Sequence, residues 1–266
     1  MSRLKCRGDK LLEHNSQLPK VKEAMGMKQE QHEDLEEYDV IIKVAKVLGG
    51  TTKWLDSDLV NYKMDVVEYV LHDAVNTGWV LYDLDELRQH SELSFVHSVN
   101  MAVFVTLLGI WLGYGEEDLR NLAQIGLLHD IGKLFVPLNI LHKPGRLSRA
   151  EFEVMKKHVY DGYLLLTYND YINQEVKLGI LQHHERLDGS GYPFNLKDNE
   201  IHEFSKIAAV ADMYTAMIED RTYRPKMTPL AALEVIEMAK GTKLDARVCE
   251  ALRKIVMSTG KNYQTN

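Results

Sequence analysis

The sequence predicts an all-α fold for this chain of 266 residues. Apolar residues recur mostly at helical spacing rather than in alternation, and neither a convincing pair of strands nor an internal repeat is present. Only six prolines and 17 glycines interrupt the chain. Hydrophobic residues make up 45% and charged residues 27%, the balance of an ordinary globular protein, which excludes a disordered chain, a collagen repeat and a disulfide scaffold.

Four stretches carry the helical pattern most clearly. The fourth also has a predicted start, because Thr228 stands at the capping position and Pro229 in the first turn. The apolar residues of the four stripes are, in chain order, Val66, Val67, Val70, Leu71 and Ala74; Leu119, Leu122, Ala123, Ile125, Leu127 and Leu128; Ala208, Ala209, Met213, Ala216 and Met217; and Leu230, Leu233, Ile236 and Met238.

The chain is predicted to divide into a helical accessory region over residues 1–88, a core over residues 89–260 and a tail over residues 261–266. Residues 28–39 are dominated by Glu, Asp and Gln, which favours a solvated helix face or a flexible lead-in over a docking surface for a partner. The amphipathic stretch over residues 33–48 is expected to pack against the core, with a homodimer interface as the alternative.

Charge and cysteine content indicate which cellular environment and which partners to expect. A net charge of -7 and a pI near 5.9 argue against a broad basic surface for nucleic acid. Two cysteines, Cys6 and Cys249, suggest a reducing compartment. Residues 1–10 have no apolar core, and the longest apolar run, residues 101–112, is roughly half of the ~20 residues that span a bilayer. We therefore expect a cytoplasmic protein without a membrane partner, whose long apolar run is a buried helix.

Five of the eleven histidines lie in or at the end of predicted helices, and successive sites are 25 to 32 residues apart. This spacing corresponds to one helix and its return, so the side chains can converge inside a helical bundle. Imidazole nitrogens and carboxylate oxygens without a thiolate suit Fe, Mn or Zn better than Ca or Mg. The candidate ligands are His97, His129, His158, His183 and His184, together with Asp130 and Asp212.

One dense segment follows a strongly apolar predicted helix. His129 and Asp130 come directly after Leu127-Leu128, and Gly132 is expected to end the helix just before Lys133. Any one of the histidines, taken alone, is more simply explained as a core or surface residue. Burying His, Asp and Lys together, however, costs free energy unless another charge compensates, and a divalent cation would do so.

A second dense segment begins at His183-His184 and ends in a Gly-Ser-Gly turn closed by Tyr192 and Pro193. Glycines such as Gly191 let backbone N–H groups approach an anion, and the tyrosine offers a stacking face. Because this turn directly follows two candidate metal ligands, it is predicted to form the wall of an active site.

These segments resemble the two defining motifs of the HD-GYP family, the branch of the HD superfamily that contains bacterial phosphodiesterases for cyclic di-GMP. The resemblance covers roughly residues 90–240 and implies an HD-type helical bundle with a short helical N-terminal region. The matching motifs are His129-Asp130 with Lys133, His183-His184-Glu185, Asp188 to Pro193, His97 to Asn100, Ile140 to Gly145, His158 with Gly162, Ala211-Asp212, and Asp220 to Arg224.

The resemblance implies a metal centre and two catalytic residues. Asp130 would bridge two metal ions, and Lys133 would contact the phosphate or the leaving oxygen. The metal ligands that it implies are His97, His129, Asp130, His158, His183, His184 and Asp212.

It also implies a substrate site. Gly191, Tyr192 and Pro193 would shape the nucleotide pocket, and Arg221 and Arg224 would hold the phosphate backbone or a guanine. For the two arginines, ordinary surface charge is the alternative.

The sequence departs from the family pattern in two places. Members with three metals have a glutamate four residues before the first histidine, whereas this chain has Leu93 there and Glu92 one position earlier. One residue is a rotation of about 100° on a helix, so Glu92 is expected to point away from the cluster and only two metals are expected. Thr215 stands where members often have an aspartate near the substrate.

The predicted function is hydrolysis of cyclic di-GMP to the linear dinucleotide pGpG by a centre of two divalent metal ions, Fe or Mn with Zn as the alternative. Further cleavage to GMP is the alternative outcome. Two other functions stay open at this stage: a sensor or adaptor that binds cyclic di-GMP without turnover, and a hydrolase of another cyclic dinucleotide or of a nucleoside phosphate.

Overall fold

The computed structural model describes residues 66–67, 69–74, 78–219 and 226–259. All of these residues belong to one compact unit that spans residues 37–266.

Part of the sequence-based prediction lies outside the described residues. This applies to the accessory region up to residue 65, including Cys6 and the acidic and amphipathic stretches, to Arg221 and Arg224, and to the tail over residues 261–266. The division after residue 88 stays a prediction, although the first described helix listed below runs through that position without a break.

The described residues form helices and contain no strand, which confirms the all-α prediction. Residues 66–67 and 69–74 are helical, as the first apolar stripe predicts. The remaining helices are α1 (Gly78–His90), α2 (Glu92–Leu112), α3 (Glu116–Leu128), α4 (Leu138–Leu141), α5 (Arg149–Met155), α6 (His158–Thr167), α7 (Gln174–Gln182), α8 (Glu203–Ile218), α9 (Pro229–Ala239) and α10 (Ala246–Thr259), with short 3-10 helices at Ile131–Phe135 and Asp198–Glu200.

Helix α2 lies at the centre of the fold and packs against α1, α3, α8 and α10. It begins where the Ser91 hydroxyl accepts a hydrogen bond from the Ser94 N–H, and it ends at Gly113 in the left-handed conformation. Among the described residues, α2 is the one helix long and apolar enough to cross a membrane, but 78% of its most apolar window is buried inside the protein. Such burial is that of a core helix, as predicted from the apolar run.

Helix α9 begins as predicted, with the Thr228 hydroxyl accepting a hydrogen bond from the Ala231 N–H. Its buried face, however, differs from the predicted stripe. Leu233 and Ile236 are buried, whereas Leu230 is 44% exposed and Met238 is 85% exposed. Met238 lies about 200° around the helix from Ile236, so the two side chains cannot face the same neighbour.

Close packing of α3 on α2 sets the position of the histidines. A Cβ atom on Gly126 would lie 2.3 Å from the Cα atom of Ala102, so the two backbones touch without an intervening side chain. This approach places the His129 ring, at the end of α3, 5.2 Å from the His97 ring on α2.

Candidate metal centre

The structure brings together all seven side chains that were predicted as metal ligands. His97 lies within α2, His129 ends α3, and His158 begins α6. His183 ends α7 with His184 following it, and Asp212 lies on α8. Imidazole rings that are neighbours in space lie close together, with centroid distances of 5.0 Å from His129 to His183 and 4.1 Å from His183 to His184.

Two groups of these side chains could each hold a metal ion, because within each group the ligand atoms lie no more than 4.8 Å apart. One group consists of His97, His129 and Asp130, and the other of His158, His183 and His184. Asp130 reaches both groups, since its Oδ2 lies 3.3 Å from His129 Nε2 and its Oδ1 lies 3.3 Å from His158 Nε2.

Three histidines are fixed in the tautomer that a metal requires. The Nδ1 atoms of His129, His158 and His183 lie 2.7–2.8 Å from the backbone carbonyl oxygens of the residues three positions earlier. A carbonyl oxygen can only accept a hydrogen bond, so each Nδ1 carries the proton and each Nε2 keeps its lone pair. Hydrogen bonds of this kind orient histidine ligands in metal sites.

The clearest sign that this donor set fits a cation is the Nε2 atom of His129. It is fully buried and makes no hydrogen bond, because with the proton on Nδ1 both Nε2 and the carboxylate oxygen of Asp130, 3.3 Å away, can only accept one. A buried polar atom without a partner costs free energy, and a lone pair that faces other ligand atoms is satisfied by a metal ion. The described side chains therefore fit the divalent metal ions that the histidine pattern predicted.

Burial and charge set the protonation states of the ligands. Burial lowers the pKa of His158 to about 4 and lowers the pKa values of His183 and His184 well below the usual range. For Asp130, burial favours the neutral acid, but the neighbouring His129 and Lys133 outweigh it and hold the pKa well below the usual range. Neutral imidazoles beside a carboxylate are the forms that bind metal ions.

Lys133 forms an ion pair with Asp130 Oδ2. The two residues are three positions apart, and the side chain of Lys133 remains 15% exposed at the edge of the cluster. A positive charge thus lies beside the carboxylate shared by the two ligand groups.

A model of the HD domain family matches residues 84–248. The chain belongs to the HD domain family. With the curated relatives, this match confirms the resemblance to the HD-GYP branch.

The HD domain is similar to several curated proteins. It is 32% identical to cyclic di-GMP phosphodiesterase PA4108 of Pseudomonas aeruginosa, over 72% of this chain and 46% of the relative. It is 40% identical to the cyclic di-GMP phosphodiesterase response regulator RpfG of Xanthomonas campestris, over 53% of this chain and 38% of the relative. It is 36% identical to 3′3′-cGAMP-specific phosphodiesterase 1 of Vibrio cholerae, over 65% of this chain and 40% of the relative. The chain thus spans less than half the length of each.

A solved structure has the same fold as the HD domain. Bd1817, described as an HDG"Y"P protein from Bdellovibrio bacteriovorus, superposes with a TM-score of 0.55 at 18% identity, over 94% of this chain and 81% of that one.

The loop after His184 is held by a side chain whose role the sequence did not reveal. The buried Glu185 accepts hydrogen bonds from the backbone N–H groups of Phe194 at 2.7 Å and Leu196 at 3.0 Å. Gly191 is needed for this packing, since a Cβ atom there would lie 2.4 Å from the Cα atom of Glu185. This close contact is a second reason for a glycine at this position, and the sequence did not reveal it.

Tyr192 lies beside the candidate metal ligands of the HD domain. Its ring stacks on His184, with centroids 4.6 Å apart and an angle of 32° between the planes, and its bond to Pro193 is cis. One face of the tyrosine is thus covered by a candidate ligand. Burial raises the pKa of Tyr192, so the phenol is neutral near pH 7.

The departures from the family pattern have structural counterparts. Glu92 is exposed and Leu93 is 51% exposed, so neither belongs to the two ligand groups, as the rotation argument predicted for Glu92. The Thr215 hydroxyl donates to the carbonyls of Ala211 and Asp212 within its own helix.

One expectation about the site is wrong, and one contact in the site was not predicted. Gly132 does not end α3, because the chain continues from Asp130 into a 3-10 helix that contains Gly132. The contact of Glu219 with His97 was not predicted, although Glu219 lies seven residues after Asp212 and so nearly two helical turns along the same face.

Proposed function

We propose that this HD domain hydrolyses cyclic di-GMP to linear pGpG, using two divalent metal ions bound by the seven predicted ligands. The observation that carries the proposal is the position of Asp130 between the two ligand groups, with one carboxylate oxygen near each. The curated relatives named as cyclic di-GMP phosphodiesterases support the choice of substrate.

The metal ions, when bound, supply a nucleophile at neutral pH and stabilise the negative charge that develops on the phosphoryl oxygens. Asp130 would hold both ions, and its low pKa keeps its carboxyl ionised for that task. Because burial keeps His158, His183 and His184 neutral at pH 7, these side chains do not compete with the ions through positive charge.

Residues around the metal centre act on the substrate. Lys133, beside Asp130, is placed to give a proton or a positive charge to the departing 3′ oxygen. Gly191, Tyr192 and Pro193 form one wall of the nucleotide pocket, where the exposed part of the tyrosine ring contacts a base. The residues at 221 and 224, both arginines in the sequence, bind the phosphate backbone or a guanine.

Iron and manganese are the proposed metals, with zinc as the alternative. The donor set of nitrogen and oxygen without a thiolate suits all three. Two ions per chain are proposed rather than three. The exposed position of Glu92, outside both ligand groups, supports this number.

A second candidate substrate is 3′3′-cGAMP. It is favoured by the similarity to 3′3′-cGAMP-specific phosphodiesterases 1 and 3 of Vibrio cholerae, at 36% and 35% identity. The two candidates differ in one base, so the phosphodiester chemistry at the metal centre is the same for both.

The proposed setting is a cytoplasmic enzyme that binds neither nucleic acid nor membrane, with residues 1–88 available for a protein partner or a homodimer. A net charge of -7 and the burial of α2 inside the protein support that setting.

The deciding experiment is metal analysis of protein purified without oxygen, followed by separate incubation with cyclic di-GMP and with 3′3′-cGAMP. We expect about two Fe or Mn ions per chain and a larger kcat/KM for cyclic di-GMP, with pGpG as the main product. Asp130→Ala should lose both metal and activity, whereas Asp170→Ala, at an exposed aspartate, should lose neither.

Each other result points to a different function. A larger kcat/KM for 3′3′-cGAMP would select the second substrate, and bound metal without hydrolysis of either would indicate a sensor or adaptor. Absence of metal after reconstitution, or full activity in Asp130→Ala, would refute the metal centre.

A further inference from the structure

His97 is the one candidate histidine ligand with a carboxylate oxygen within 3.1 Å of each ring nitrogen among the contacts of the described residues. Its Nε2 lies 3.1 Å from Asp212 Oδ1, and its Nδ1 lies 2.9 Å from Glu219 Oε2. The ring is almost completely buried, at 4% exposure. Asp212 is a candidate metal ligand, so Nε2 is the nitrogen that faces the metal site and Nδ1 is the nitrogen that faces away from it.

The position of His97 in its helix explains why a side chain contacts Nδ1. His129, His158 and His183 donate to carbonyls of Gly126, Met155 and Ile180, which all lie in the last turn of a helix. Carbonyls in a last turn have no partner within the helix and are free to accept. His97 lies inside α2, where the carbonyls are engaged in the helical ladder, so its Nδ1 needs an acceptor from another helix.

Glu219 is held in place by hydrogen bonds to two helices. Its Oε1 accepts a hydrogen bond of 2.8 Å from Asn100 Nδ2, and Asn100 lies three residues after His97 on α2. Glu219 itself stands directly after α8, where its backbone N–H donates to the Thr215 carbonyl. Both carboxylate oxygens therefore have a partner on α2, and the backbone of Glu219 is fixed by α8.

We infer that Glu219 is a positioning residue for the metal centre: it accepts the Nδ1 proton of His97 and thereby aims the Nε2 lone pair at the ion that His97 and Asp212 share. A carboxylate in this position also makes the imidazole a more basic ligand. The inference deepens the proposed function and rests on its metal site. Loss of such an outer partner typically weakens metal binding by about 10- to 100-fold.

The first test is metal affinity without nucleotide. Metal-free wild-type protein and Glu219→Gln are titrated with Mn²⁺ against a chelator, and Glu234→Gln, at an exposed glutamate on α9, is the matched control. We expect Glu219→Gln to bind one of the two ions about 10- to 100-fold more weakly, and Glu234→Gln to bind both as the wild type does. Unchanged affinity in Glu219→Gln would overturn the inference.

The second test asks whether Glu219 acts through His97. In a double-mutant cycle, Glu219→Gln should cause no further loss of Mn²⁺ affinity when His97→Ala is already present. An equal loss in both backgrounds would overturn the inference and indicate a purely structural link between α8 and α2. The thermal midpoints of the metal-free variants, measured in parallel, show whether each variant is folded.

The two proposals can fail separately. Wild-type protein that binds Mn²⁺ but hydrolyses no cyclic dinucleotide would refute the proposed reaction and leave the role of Glu219 intact. Hydrolysis of cyclic di-GMP together with wild-type Mn²⁺ affinity in Glu219→Gln would refute the role of Glu219 and leave the reaction intact.

Discussion

Gly132 lies directly against the backbone of His158. A Cβ atom on Gly132 would come within 1.9 Å of the His158 carbonyl oxygen and within 2.5 Å of the Gly162 backbone nitrogen. The 3-10 helix that follows His129 and Asp130 is thereby pressed onto the first turn of α6. This contact brings Asp130 within 3.3 Å of the His158 ring, so one glycine connects the two halves of the candidate metal centre.

Gly132→Ala should therefore damage the metal centre as well as the fold. The methyl group overpacks a backbone contact that has no room to relax, and such substitutions typically cost about 1–3 kcal/mol of stability. We expect a lower thermal midpoint of the metal-free protein and weaker Mn²⁺ binding, because His158 must move away from Asp130. Gly115→Ala is the matched control, since a Cβ atom there meets nothing within 4 Å. Equal behaviour of the two variants would contradict the packing argument.

Lys133→Ala should separate catalysis from metal binding. Lys133 contacts Asp130 but is not itself a metal ligand, so both ions should remain bound while kcat falls by about 10²- to 10⁴-fold through loss of proton or charge donation. The measurement is metal content together with kcat at saturating cyclic di-GMP. Lys254→Ala, at an exposed lysine on α10, should leave both values unchanged. Loss of metal in Lys133→Ala would show that the lysine maintains the site instead.

Glu185→Ala should release the loop that carries Tyr192. The carboxylate accepts from the N–H groups of Phe194 and Leu196, and leaving buried donors without an acceptor costs about 1–3 kcal/mol each. We expect faster hydrogen exchange at these two amides and a larger change in KM than in kcat. Glu117→Ala, at an exposed position on α3, provides the comparison. Unaltered exchange at both amides would mean that other contacts hold the loop.

Asp161→Asn should stabilise the protein in a pH-dependent way. Burial raises the pKa of Asp161 to about 6, even though Lys157 acts in the opposite direction. The folded protein therefore prefers the protonated acid. The cost of ionisation develops as the pH rises from 3.8, the ordinary pKa of the group, to about 6, and it is fully present above that. Asparagine resembles the protonated acid, so the gain in unfolding free energy should reach at most about 3 kcal/mol at pH 8 and fall to about half of that at pH 5.

The measurement is denaturant unfolding of the metal-free protein at the two pH values, with Asp170→Asn as an exposed control. A gain that does not depend on pH would indicate a cause other than ionisation of Asp161.

Part of the candidate site could be predicted from the sequence because several of the candidate ligands lie at helix ends. His129, His158 and His183 each stand beside a helix terminus, where apolar periodicity stops and a polar side chain stands out. The 25 to 32 residues between successive sites correspond to one helix and its return, so these helix ends can meet on one side of a bundle. The start of α9 at Thr228 could also be predicted, because Thr228 and Pro229 are a capping pair and capping is a local interaction.

Other features could not be predicted because they depend on which helix faces which. Met238 fits an apolar stripe, but within the described residues it is 85% exposed. Gly132 and Gly191 look like turn residues in the sequence. In the structure each is needed because another backbone segment lies against it, that of His158 for Gly132 and that of Glu185 for Gly191.

The sequence by itself determined the helical class, the donor atoms and the HD-GYP motifs, because these follow from residue type and local spacing. The tertiary structure was needed to show which histidines group on each side of Asp130 and that Glu219 contacts His97 from 122 residues away. The physical reason is that periodicity acts over a few turns of one helix. The direction in which a side chain meets its partner is set instead by the packing of several helices around α2.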